Sequence, residues 1–264
     1  MALCPQIYNR LSGPTLRDEM EIVMPNNDRE LNHLNDVSTI YATEDGSLNR
    51  DITSHYSCIF TKKYISGKRA VQMGLGDGYI AANLCNEFDE FTVIEGSDEI
   101  IRKFQPSNTK IHVTKSLFES FNIQDKFDCL LGNHVLEHVD NPIEIMRHTR
   151  SWLKPGAVAI FTVPNAESLH RRIGVQMGLL KKLNELNEQD KLLGHRRVFT
   201  LNEFANDATK AGYAIKEIHG FMIKLVSHRQ MKDWPRQLLD ACFAVSLSLP
   251  PEMCSNIALI CENI

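Results

Sequence analysis

The sequence predicts an α/β protein: a doubly wound, mostly parallel, seven-stranded sheet. Short β-rich runs alternate with helical stretches over residues 68–163. A glycine-rich turn follows the first of these runs, and two further strand candidates lie at 213–219 and 256–261. Strands separated by helices imply βαβ units and therefore parallel neighbours.

The elements follow in order. Residues 70–73 read as a strand that ends in glycines, and 77–86 as the helix after it. Residues 91–95 form a second strand candidate, with a helix near 98–104; 110–113 and 127–131 are a third and a fourth. Residues 142–153 read as a helix, with Asp140 or Asn141 placed to cap it and Pro142 suited to its first turn. Lys154-Pro155-Gly156 reads as a stop signal. Residues 157–163 are apolar throughout, as expected of a strand covered on both faces. A helix is expected near 52–64, and a helix-like stretch at 173–186.

Composition narrows the function classes. At 264 residues the chain can bury a core without disulfide or metal staples. Its net charge of −4 sets up no global attraction for nucleic acid or an anionic membrane. The seven cysteines form no CxxC pair, which predicts free thiols in a reducing compartment. The first 24 residues lack the apolar stretch of a signal peptide, and no run approaches the ~20 apolar residues of a membrane span. A cytoplasmic protein is expected.

The most informative segment is Met73-Gly74-Leu75-Gly76-Asp77-Gly78-Tyr79. Glycines after a strand let the backbone turn sharply and approach a ligand with no Cβ in the way. The GxGxG spacing places Ile80 where a dinucleotide fingerprint wants a further glycine, which disfavours a dehydrogenase. Glu95 ends the second strand, where a carboxylate can accept hydrogen bonds from ribose hydroxyls.

On these residues the sequence resembles the class I S-adenosylmethionine-dependent methyltransferases. Residues 127–139, which contain Gly132-Asn133-His134-Val135-Leu136-Glu137-His138, resemble the family's fourth-strand motif. Trp152-Leu153-Lys154-Pro155-Gly156 resembles the segment before strand five. The nearest branch includes ubiquinone-biosynthesis and natural-product O-methyltransferases. The resemblance implies a Rossmann-like methyltransferase fold with S-adenosyl-L-methionine as cofactor. It places Gly74, Gly76 and Gly78 beside the methionine part, Glu95 and Gly96 at the ribose, and Ser116, Leu117 and Phe118 around the adenine. Asn133 and His134 would form the floor near the sulfonium. Gln72 stands where family members often carry an acid; its amide can still accept from the amino group. Residues 1–65 are expected as an N-terminal helical cover and 66–264 as the cofactor-binding domain, with acceptor-side insertions near 164–198 and 229–255.

His134-Val135-Leu136-Glu137-His138 also matches the HxxEH pattern of inverted zinc proteases. That pattern needs both histidines on one helical face and a distant carboxylate. Here it follows directly on a strand, so no metal is expected.

The acceptor side is read from chemistry. A hydroxyl acceptor needs a general base, for which His134 and His195 are the candidates. A carboxylate is already ionised and needs cationic donors instead. Within the insertion after strand five His170-Arg171-Arg172 and His195-Arg196-Arg197 bracket the helix-like stretch, so His170, Arg196 and Arg197 are acceptor-binding candidates, together with Tyr41 from a segment expected to fold over the cofactor. The leading expectation is O-methylation of an anionic, carboxylate-bearing small-molecule or peptide acceptor, such as a natural-product intermediate. The alternatives are N-methylation of an amine such as an amino sugar, and a non-catalytic cofactor-binding partner protein.

Overall fold

The structure, a computed structural model, describes residues 44–103 and 108–264. Seven strands form one sheet in the order β3-β2-β1-β4-β5-β7-β6. They are β1 (Arg69–Met73), β2 (Glu90–Glu95), β3 (Ile111–Lys115), β4 (Phe127–Asn133), β5 (Leu153–Pro164), β6 (Tyr213–Phe221) and β7 (Asn256–Asn263). β1 to β5 run parallel; β7 pairs antiparallel with both β5 and β6. The chain therefore reverses its strand order between β1 and β4, and ligands bind at such a switch point, beyond the strand C-termini.

Residues alternate across the strands and feed two cores. Val71, Met73, Leu130 and Phe161 pack on one face, under α5 (Pro142–Thr149) and α8 (Leu201–Ala211). Ala70, Cys129, Leu131 and Ile160 pack on the other, under α2 (His55–Thr61), α3 (Tyr79–Leu84) and α9 (Arg236–Ser246). This is the doubly wound arrangement expected. Each fully buried aromatic such as Phe161 or Phe127 contributes ~1.5–3 kcal/mol by leaving water. Among the described residues no helix is long and apolar enough to cross a membrane, and the cysteines are unpaired.

Several boundaries differ from expectation, each for a local reason. The N-terminal helix starts earlier: α1 (Glu44–Asn49) runs through a π-helical turn (Arg50–Ser54) into α2. α3 is a shorter helix than expected, and α4 spans Asp98–Lys103. α5 ends at Thr149 and tightens into a 3₁₀ turn (Arg150–Trp152), which seats the buried Trp152 so that its Nε1–H donates to Phe121 O at 3.0 Å. Asn141, not Asp140, caps α5, accepting from the Glu144 N–H at 3.3 Å. Lys154-Pro155-Gly156 lies inside β5, at a register shift against Phe127 and Cys129, so it bends the strand rather than ending an element. The expected helix over 173–186 is replaced by α6 (Leu169–Gln176), which closes at Gly178 (φ +73°), and by α7 (Glu188–Leu192).

Candidate active site

One cleft opens over the C-terminal ends of β1, β2, β3 and β4. Its first wall is the glycine turn. Gly74, Gly76 and Gly78 all have left-handed backbone (φ +69°, +56° and +74°), which side chains rarely tolerate. The Gly74 N–H donates to Ile94 O and the Gly78 N–H to Leu75 O, so the turn is tied to β2 and to itself. Glu95 is 4% exposed; its two carboxylate oxygens accept from the Leu75 and Ser97 N–H groups, both at 2.8 Å. Burial pushes its pKa up, against the pull of the backbone N–H groups of Leu75, Ser97 and Gly96.

Of the residues expected at the cofactor, all but Gly78 line this cleft: Gln72, Gly74, Gly76, Glu95, Gly96, Ser116, Leu117, Phe118, Asn133 and His134. Gly78 instead supplies the N-cap of α3. The fit to a cofactor amino group rests on two buried amides. Gln72 Nε2 donates to Gly74 O at 2.7 Å, leaving Gln72 Oε1 buried without a partner. Asn133 Nδ2 donates to Thr61 Oγ1 at 2.8 Å, leaving Asn133 Oδ1 equally orphaned. A buried acceptor without a donor is costly, and an ammonium has three N–H groups to give.

His134 ends β4 with left-handed backbone (φ +53°), an uncommon conformation for a residue with a side chain. Its N–H donates to Thr162 O, and its Nε2 pairs with Ser57 Oγ at 3.0 Å. α1, the π turn and α2 thus border the cleft: Asn49, Thr53 and Ser54 line it. Ser54 Oγ also donates to Asp77 of the glycine turn at 3.3 Å. Tyr41 lies outside the described residues. None of Ser57, Thr61 and Asp77 stood out in the sequence, because contact across 23 to 77 positions leaves no local pattern.

The acceptor-side expectations are distributed unevenly. Arg196 and Arg197 are committed inside the protein. Arg196 pairs with Asp140, and its N–H donates to Glu137 O at 2.8 Å. Arg197 donates from Nη1 to Leu136 O and Val139 O and from Nη2 to Asp140 O at 2.9 Å. The second basic triplet therefore clamps the loop after β4, and this geometry gives no support to its holding an acceptor. Arg171 of the first triplet is buried, pairing with Asp190 at 3.0 Å and donating to Leu183 O and Glu185 O, which folds the insertion onto itself. His195 packs edge-on against His138, centroids 4.8 Å apart, with its Nδ1 3.5 Å from Asp190 Oδ1.

His170 of α6 belongs to a group that the sequence did not reveal. Lys224 Nζ lies 3.1 Å from His228 Nε2, and His170 is electrostatically coupled to both. Burial pushes the Lys224 ammonium down to about 8, with Asp190 opposing and Arg171 adding to the fall. Burial, and then the Lys224 charge, hold His170 and His228 well below the usual imidazole range. The His134 charge also bears on His228, although none of His170, Lys224 and His228 lines the cleft itself. At neutral pH the two imidazoles are neutral and Lys224 carries the charge. Glu137, fully buried behind His134, has a lowered pKa: burial would raise it, but His134, His138 and His195 outweigh that.

A β3-β2-β1-β4-β5-β7-β6 sheet with an antiparallel β7, a glycine turn after β1 and an acid ending β2 define a class I S-adenosylmethionine-dependent methyltransferase. Residues 47–218 match the family described as "Methyltransferase domain", and the chain belongs to that family. Its cofactor is S-adenosyl-L-methionine. A ubiquinone biosynthesis O-methyltransferase of Rickettsia bellii is 27% identical over 128 residues, which cover 47% of this chain and 51% of the relative. The chain thus spans about half the length of the curated relatives it matches. A Thermotoga maritima methyltransferase, described as a possible histamine N-methyltransferase, superposes with a TM-score of 0.62 at 18% identity. That match covers 89% of this chain and 100% of the other. The N-methyltransferase NodS of Bradyrhizobium japonicum, solved with S-adenosyl-L-homocysteine, gives 0.55 at 12% identity, covering 88% and 98%. At these identities the structural likeness is one of fold.

Proposed function

We propose that this methyltransferase transfers its methyl group to an anionic oxygen of a small-molecule or peptide acceptor. The observation that carries the reading is Lys224. Among the described residues it makes no ion pair with a carboxylate; its near neighbour Asp190 is engaged by Arg171. Lys224 is half-buried by exposed area, and an ammonium drawn out of water in this way is costly unless an anion meets it. An acceptor carboxylate or phenolate would do so, with His170 Nδ1, itself buried without a partner, as a further polar contact. The distant O-methyltransferase relatives agree with oxygen as the acceptor atom.

On the donor side, Gln72 Oε1 and Asn133 Oδ1 would accept from the cofactor's amino group and Glu95 would hold the ribose. Bound S-adenosylmethionine supplies an electrophilic methyl carbon. The protein's task is to align an acceptor oxygen with that carbon and sulfur and to keep water out. His134 stands at the floor of the cleft beside the reacting groups.

The test is a panel of carboxylic acids, their methyl esters, phenols and primary amines, scored by S-adenosylhomocysteine release. Turnover of acids or phenols, lost on esterification, is the expected result. Methylation of amines alone would replace the reading with N-methylation. Cofactor binding without turnover on any acceptor would favour a partner protein.

A further inference from the structure

We propose that Glu137, His138 and His195 bind one divalent cation of the Zn²⁺ class beside the cofactor cleft. One ligand atom from each lies within 4.8 Å of the others. Glu137 is fully buried, and neither of its carboxylate oxygens has a hydrogen-bond partner in good geometry; His134 Nδ1 stands 3.4 Å from Oε1. Such a carboxylate, aimed at two imidazoles, is an ion short of being satisfied. Two nitrogens and one carboxylate oxygen are the donors that borderline divalent cations take, whereas Mg²⁺ and Ca²⁺ prefer oxygen alone.

The surroundings are those of a metal ligand set. His195 Nδ1 lies 3.5 Å from Asp190 Oδ1, and Asp190 is fixed by Arg171 and by the cap of α7. The contact lacks hydrogen-bond geometry, and His195 Nδ1 is buried without a partner; a small ring movement would let Asp190 serve as the outer carboxylate that fixes the imidazole tautomer. The Arg196 N–H to Glu137 O bond and the Arg197 contacts hold the His195 segment against the loop after β4. Metal–ligand bonds of ~2.1 Å require ligand atoms ~3.4 Å apart, so separations of up to 4.8 Å would shorten by as much as ~1.4 Å on binding. Small movements of the His138 and His195 rings, which pack edge-on against each other, would be needed to supply this. The sequence alone argued against a metal because the HxxEH stretch does not form a helix; the structure brings the third ligand from the far side of the insertion instead.

Three protein ligands leave a coordination position open. His138 also lines the cofactor cleft, so the open position is within reach of an acceptor oxygen. A hydroxyl bound there would be more acidic than when free and would release its proton to solvent before methyl transfer. This last role rests on the O-methylation reading; cation binding does not.

The test therefore reads metal alone. Chelator-treated full-length protein is titrated with Zn²⁺, and with Co²⁺ as a coloured substitute, in the absence of any acceptor. About one equivalent should bind, with a visible Co²⁺ band. Glu137→Gln and His195→Ala should each weaken binding by more than about a hundredfold, beyond the ~10–100-fold that an outer partner costs. Far-UV circular dichroism and the thermal shift with S-adenosylhomocysteine report whether each variant is folded; Glu137→Gln keeps the side-chain volume. Failure to bind stoichiometric metal, or binding undiminished in both variants, would overturn the proposal and leave the anionic-acceptor reading untouched.

Discussion

The donor wall of the cleft is built largely of backbone, and the acceptor wall of side chains. On the donor side one turn with three left-handed glycines and the N–H groups of Leu75 and Ser97 shape the surface, with Glu95 as the principal charged group. On the proposed acceptor side His138 lines the cleft, and Glu137, His195, His170, Lys224 and His228 are supplied by the loop after β4, the end of the insertion, α6 and the segment after β6. A backbone wall is fixed by a short stretch of chain and suits a ligand that does not vary. A side-chain wall can be rebuilt residue by residue, and suits the partner that does.

The comparison can be sharpened by substitutions on either side. The largest effect is expected from Glu95→Ala. It removes the ribose acceptor and strands two buried N–H groups, so calorimetry should show S-adenosylhomocysteine binding weakened by about a hundredfold, or ~3 kcal/mol. Lys224→Gln should come next, raising the acceptor KM about tenfold or more with cofactor Kd unchanged. In the wild type the same KM should rise with pH through about 8, where the ammonium loses its proton, and in Lys224→Gln it should stay level over that range. A variant that moved both constants together would erase the division between the walls.

Arg197→Ala tests the reassignment of the second basic triplet. It should lower the melting temperature and disturb acceptor and cofactor alike, because its contacts are to the loop after β4. A selective rise in acceptor KM would restore it to the acceptor. The smallest effect belongs to the far end of the sheet, remote from both walls. Burial would raise the Asp128 pKa, but Lys154 Nζ and the Lys68 and Arg69 N–H groups hold it at about 2. The stability this provides is present above the unfolded carboxyl pKa of ~3.9 and is lost as pH falls through about 2. Asp128→Asn should cost ~1–2 kcal/mol at neutral pH, after discounting for its partial exposure, and the two unfolding curves should converge on acidification.

The difference between the walls also explains what could be read from the chain alone. Gly74, Gly76, Gly78 and Glu95 sit at spacings that one βαβ unit dictates, so the glycine turn and the acid that ends β2 are legible in the sequence. Lys224 and His228 carry no spacing signature; only the crossing of the insertion over the sheet brings them to His170. The Arg196-Arg197 pair presents the converse case. A basic triplet beside a cleft invites an anion, yet these guanidiniums find loop carbonyls and Asp140 closer at hand. Gly178 shows the same limit on a smaller scale: its left-handed backbone ends α6 in the middle of a stretch whose apolar spacing favours a longer helix.

The π turn at Arg50–Ser54 governs which face the proposed N-terminal cover would turn toward the cleft. One extra residue is wound into that turn, marked by the His55 N–H reaching back to Arg50 O. An extra residue rotates everything upstream by about 100° about the helix axis relative to an ordinary helix. Asn49, which lines the cleft, is upstream of it, while Ser57 and Thr61, which hold His134 and Asn133, are downstream. Excising a single residue there would therefore leave the floor of the cleft anchored while swinging a different stripe of α1 over its mouth. Length variation of one codon, rather than substitution, is the simplest route by which this fold could exchange one cover for another.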